Sequence, residues 1–114
     1  MEKTPDITKK NGETFVGVSE SEIDSLKKTL GCFPAIKKCI LYGSRITGGY
    51  SENSDLDVYL EITGKTRGQI SDMKNRIQQM LSSQIKYPIH VKDRGEIRNN
   101  QLLWNIENQG VELQ

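Results

Sequence analysis

The stretch that most constrains this chain runs from Leu41 to Ile62 and reads LYGSRITGGYSENSDLDVYLEI. An apolar strand breaks at Gly43-Ser44, a polar, glycine-bearing loop spans Arg45 to Ser54, and a second strand carries Asp55 and Asp57. That second strand alternates. Leu56, Val58, Leu60 and Ile62 share one face, while Asp55, Asp57, Tyr59 and Glu61 share the other. Two carboxylates held side by side repel unless a cation lies between them. Oxygen ligands of this kind suit magnesium, which also takes ligands from substrate phosphates.

The other end of the stretch complements such an ion. Gly43 lets the backbone turn sharply and approach a ligand closely. Ser44 and Arg45 offer a hydroxyl, backbone N–H groups and a guanidinium fork, all suited to phosphate oxygens. An anion cradle beside a carboxylate pair is the arrangement expected for a nucleoside triphosphate with its magnesium.

Gly43-Ser44, ten intervening residues, then Asp55-x-Asp57 resembles the signature of the DNA polymerase beta nucleotidyltransferase superfamily. The short chain is similar to the minimal nucleotidyltransferases within it, whose best-known members are antitoxins paired with HEPN-domain toxins. The resemblance extends over about Phe15 to Leu113, but its specific part is Gly43 to Asp57. It implies nucleotide binding by Gly43, Ser44 and Arg45, metal binding by Asp55 and Asp57, and a helical HEPN-type partner protein.

At 114 residues the chain has room for one domain, here placed at 15–114 behind a polar tail at 1–14 with a turn signal at Asn11-Gly12. No apolar run is long enough to span a bilayer, and Met1-Glu2-Lys3 opens no signal peptide, so a cytoplasmic home is expected. A net charge of +1 argues against a nucleic-acid surface built on bulk charge. Cys32 and Cys39 lack metal-ligand spacing and read as reduced thiols in or near the core.

Ser19 and Glu22 make a capping box ahead of a helix burying Ile23, Leu26 and Leu30 and ending at Gly31. Ile36 to Tyr42 is the strand that enters Gly43. Thr66 caps a helix to about Ser83, with Ile70, Met73, Ile77, Met80 and Leu81 as its core stripe. A third strand spans Ile85 to Lys92, placed at a sheet edge or irregular because Pro88 lacks a donor. A last helix, Asn99 to Gln109, buries Leu102, Leu103 and Ile106, with Trp104 expected to widen that face. Val111 and Leu113 return as a short strand or pack as an apolar tail. This order gives an α/β (α+β) domain, a small mixed β-sheet with helices packed on one face and a cleft on the other, which is also the polymerase-beta-like fold the resemblance implies.

Family members carry a third carboxylate on a strand beside Asp-x-Asp. Here strand parity puts His90 on the cleft side and Asp93 on the core side. His90 thus takes the third catalytic slot, as ligand or base. Asp93 as a displaced carboxylate, or neither residue, also stays open. Lys86 and Lys92 share the face of His90 and read as solvated lysines within reach of phosphate. Two functions follow: a magnesium-dependent transferase of a nucleoside monophosphate, AMP from ATP, onto a partner's hydroxyl, or a catalytically weak or inactive binding module that neutralises its partner by association.

Overall fold

The structure is a computed structural model and describes residues 17–113; the polar tail, its Asn11-Gly12 turn and Phe15 lie outside them. Ser19 caps the first helix, α1 (Glu20–Leu30), through the expected reciprocal pair. Its hydroxyl accepts from Glu22 N, and the Glu22 carboxylate accepts from Ser19 N. Ile23, Leu26 and Leu30 are buried, and Val18 joins them in the same cluster.

Strands β1 (Ile36–Tyr42) and β2 (Leu56–Ile62) pair antiparallel, with Leu41 opposite Val58 and Tyr42 opposite Asp57. Between them the expected loop is interrupted by a short helix, α2 (Ser44–Thr47). Its turn is closed by the N–H groups of Ile46 and Thr47, both donating to the Gly43 carbonyl. Ile46 is an apolar residue in a polar stretch, and burying it in the core is what folds this segment inward.

Helix α3 (Arg67–Ser82) starts at Thr66, which forms a second capping box with Gln69. Ile70, Ile77 and Leu81 are buried, with Met73 and Met80 half-buried at the margins. Strand β3 (Ile89–Asp93) then runs parallel to β2. It begins four residues later than the sequence suggested. Pro88 cannot donate, but its carbonyl accepts from Leu56 N at 2.9 Å and so fixes where the pairing starts. After a 3-10 turn at Arg94–Glu96, helix α4 (Asn100–Gln109) leads into β4 (Val111–Leu113), which pairs antiparallel with β1. The sheet order is β3-β2-β1-β4, a mixed sheet with β3 at the edge that Pro88 implied.

Helices α1 and α3 cover one face, where Leu41, Leu56, Val58 and Leu60 point. The other face is not bare. Ile106 of α4 and Ile97 before it pack on Ile40 and Tyr59, so Tyr59, on the polar parity of β2, is fully buried. Its hydroxyl is satisfied by the Glu61 carboxylate at 2.8 Å. Trp104 does not widen the buried face of α4 as expected; it is 54% exposed, because Ile106 carries the contact and Leu102 and Leu103 flank it. Cys39 lies in the core, whereas Cys32 is exposed.

Asp93 falls on the core-facing parity and is 3% exposed. Arg67 grips it with both terminal nitrogens, at 2.7 and 3.2 Å, Lys74 lies at 2.9 Å, and Gly95 N donates at 2.9 Å. Burial alone would raise its pKa, but these donors hold the carboxyl well below the usual range. Because the folded pKa is lowered, the stabilisation is present at neutral pH and is lost as pH falls below about 4. Asp93→Asn should cost about 3 kcal/mol in urea unfolding near neutral pH, since it takes the buried charge from between Arg67 and Lys74 and leaves Lys74 with Glu96 alone. The gap to wild type should narrow in acid.

Candidate active site

Gly43 is where the two ends of the constraining stretch meet. Its φ is +87°, a region that side chains avoid. A Cβ added there would lie 2.2 Å from the Asp57 Oδ2 atom. The turn therefore presses its bare backbone against the carboxylate, and no larger residue fits.

The strand register assembles the rest. Asp57 sits between Tyr42 of β1 and His90 of β3, and Asp55 stands just before β2 begins. His90 Nε2 lies 3.2 Å from Asp55 Oδ2, and its Nδ1 lies 3.9 Å from Asp57 Oδ1. The imidazole thus stands between the two carboxylates, on the side that strand parity indicated. All three groups reach solvent, with side chains 55%, 40% and 27% exposed for His90, Asp55 and Asp57. The end of this face that α4 leaves open is the end that carries them.

The Asp57 pKa is raised above the usual carboxylate value, first by burial. His90 pulls it back down, Asp55 raises it again as a neighbouring like charge, and Lys92 lowers it. Lys92, on the face of His90, therefore acts on the site, while Lys86 is exposed and outside β3. Tyr42 also belongs here. Burial, then Asp57, then Glu96 push its phenol up to about 12, so it stays a neutral hydroxyl near the carboxylate. Reading the chain as a strand ending at Tyr42 hid this role; the signal was its parity, opposite to Leu41 and adjacent to Gly43.

Two expected groups are elsewhere. Asp93 is committed to Arg67 and Lys74 on the core side, so it supplies no third carboxylate. Arg45, expected at the phosphates, is 5% exposed. Its Nε donates to Ser54 O at 2.7 Å, Nη1 to Gly17 O at 2.8 Å, and Nη2 to Glu52 O at 2.7 Å and Ser51 O at 3.3 Å. Four carbonyls occupy the fork that was to hold phosphate.

Among the described residues no three His, Cys, Asp or Glu side chains are grouped to hold a metal ion. The carboxylate pair itself fits a hard divalent cation, because Asp55 and Asp57 offer oxygens, carry like charge and face solvent. Such an ion would draw its remaining ligands from water or a bound phosphate.

The profile of the family "Polymerase beta, Nucleotidyltransferase" matches residues 24–114. No curated protein sequence matches the chain. Among solved structures, a toxin–antitoxin complex of MntA with HepT contains a chain with 17% identity and a TM-score of 0.58, the match covering 84% of this chain and 72% of that one. A mutant of that complex, with two aspartates two positions apart replaced by glutamates, gives 18% identity and a TM-score of 0.61 over 85% and 73% of the two chains. At these identities the likeness is one of fold.

The raised pKa of Asp57 has a measurable consequence. The folded state holds that proton more tightly than the unfolded chain, so the ionised carboxylate lowers stability at neutral pH. Without divalent ions, Asp57→Asn should melt above wild type at neutral pH. The difference should vanish below about pH 4, where the carboxylate is protonated in both states.

Proposed function

The chain belongs to the polymerase beta nucleotidyltransferase family, and we propose that it transfers a nucleoside monophosphate, AMP from ATP, to a hydroxyl of a partner protein, the new bond to the α-phosphorus displacing pyrophosphate. The observation that carries this is the contact of the Gly43 turn with the Asp57 carboxylate, which sets the glycine turn beside the acidic pair. Asp55 and Asp57 would hold magnesium, and the Gly43-Ser44 turn would bind triphosphate oxygens. Magnesium, when bound, supplies neutralising charge to those oxygens.

The chain's own groups do the rest. Asp57 is fixed by strand pairing on both sides, so its oxygens are aimed without help from a flexible loop. Tyr42 can donate its proton to an oxygen at the same face. His90, half-exposed beside both carboxylates, is the group to accept the acceptor hydroxyl's proton on a ring nitrogen. Positioning does most of the work in such a transfer.

A HEPN-type helical toxin is the proposed partner, supported by the fold likeness to a complex of MntA with HepT. The mutant of that complex alters aspartates at the same spacing as Asp55 and Asp57, which supports this pair as the working residues. A cytoplasmic setting and an antitoxin role complete the reading.

Label should pass from α-labelled ATP to the co-purified partner when magnesium is present. Asp55→Ala/Asp57→Ala should reduce it by roughly a hundredfold or more, the scale of several kcal/mol of lost charge stabilisation. Equal labelling by wild type and the double variant would end the catalytic reading. Magnesium with ATP at a hundredfold excess over its dissociation constant should also stabilise the wild-type fold by about 2.7 kcal/mol, and Asp57→Asn should not respond.

The place of His90 favours a second reading. An imidazole standing where the family has a carboxylate brings no negative charge to hold magnesium, which suits a binding module that neutralises its partner by association. Toxin neutralisation compared between wild type and the double aspartate variant separates the two: equal protection supports binding, and lost protection supports chemistry.

A further inference from the structure

Arg45 is the most heavily bonded buried cation among the described residues, and nothing in the proposed chemistry uses it. Its surroundings give it another role. The segment from Ser51 to Ser54 folds into a turn, with Ser54 N donating to Ser51 O at 3.1 Å and Ser51 N to Ser54 Oγ at 2.8 Å. The carbonyls of Ser51, Glu52 and Ser54 all point inward at the guanidinium. Ser54 is the residue before Asp55, so the last bond of this set holds the backbone from which that carboxylate hangs.

The same guanidinium reaches two other parts of the fold. Its centre lies 3.4 Å from the centroid of the Tyr87 ring, a stacked cation–π contact just ahead of β3, and 5.3 Å from that of Tyr50. Gly17 accepts from Nη1, and a Cβ on Gly17 would lie 2.1 Å from the Arg45 carbonyl oxygen, so the segment before α1 packs directly on the backbone of α2. Tyr87 in turn donates to Glu22 Oε1 at 2.7 Å, inside the capping box of α1.

We propose that Arg45 is a positioning residue for Asp55: one buried guanidinium fixes the 51–54 turn against the approach to β3, and so sets Asp55 against Asp57 and His90. Asp57 needs no such help, because β1 and β3 hold it from both sides. Asp55 lies just outside the strand: the Leu56 N–H bond to Pro88 O holds the backbone after it, and the turn alone holds the backbone before it. Lysine cannot substitute, since an ammonium has neither the planar fork for carbonyls on three sides nor the flat face that stacks on Tyr87.

The metal-binding half of this inference rests on the nucleotidyltransferase reading; the turn-holding half does not. Two measurements keep them apart. Hydrogen exchange should speed up at the amides of residues 51–55 in Arg45→Gln and Arg45→Lys while those of 57–60 stay protected. The dissociation constant of a fluorescent ATP analogue with magnesium should rise about tenfold or more in the same variants, the scale for groups that orient metal ligands. In an Asp55→Asn background Arg45→Gln should add nothing, whereas general destabilisation would weaken both backgrounds alike. If the Arg45 variants do not fold, Tyr87→Leu and Tyr87→Phe decide: the first should loosen the turn, and the second, which keeps the ring, should not. Unchanged exchange at 51–55 overturns the proposal. Faster exchange with unchanged analogue binding, or additive effects with Asp55→Asn, overturns the positioning of Asp55. If wild type binds no analogue, the nucleotidyltransferase reading fails, and exchange alone decides whether Arg45 holds the turn.

Discussion

The antiparallel pairing of Tyr42 with Asp57 is the contact on which the candidate site depends. It ends β1 at the point where β2 offers its second aspartate. The next residue must then turn away across the carboxylate at van der Waals range, which a residue with a Cβ cannot do. Shifting the register by one would send the aspartates into the core face and Leu56 and Val58 into the cleft. Burial of that apolar set against α1 and α3 forbids the slip, so the hydrophobic core and the acidic pair enforce one another.

Two aspartates on neighbouring strands show how the same side chain serves opposite ends. Asp93 is buried and surrounded by Arg67, Lys74 and the N–H of Gly95, and it holds the end of β3 to α3. Asp57 is half-buried beside another carboxylate, and His90 and Lys92 offset its charge only in part. One is an interaction completed within the fold. The other is a charge left in want of a cation, the condition expected where a ligand is to bind.

The second face of the sheet is divided by the same logic. Over Ile40 and Tyr59 it is closed by Ile106 and Ile97; beside Asp55, Asp57 and His90 it is open. Closing one half gives the sheet a core on both sides and leaves the acidic half as one end of the surface. Arg45 stiffens the turn at that end, in place of the strand pairing that Asp55 lacks.

Much of this was legible in the residues. Period-two alternation fixed the faces of β2, the capping box at Ser19 and the cap at Thr66 marked both long helices, and parity put His90 beside the aspartates and Asp93 away from them, because these are local rules of backbone geometry. What the residues could not show was who covers whom. Tyr59 reads as polar-face and is buried, Trp104 reads as apolar and is exposed, and Arg45 reads as a phosphate ligand and is enclosed by carbonyls. Each outcome depends on segments far along the chain: α4 for Tyr59, the Ile40–Tyr59 surface that receives Ile106 rather than Trp104, and Gly17 and Tyr87 for Arg45. The sequence determined the pattern of each element; only tertiary packing, which brings distant segments into contact, decided the burial of each side chain.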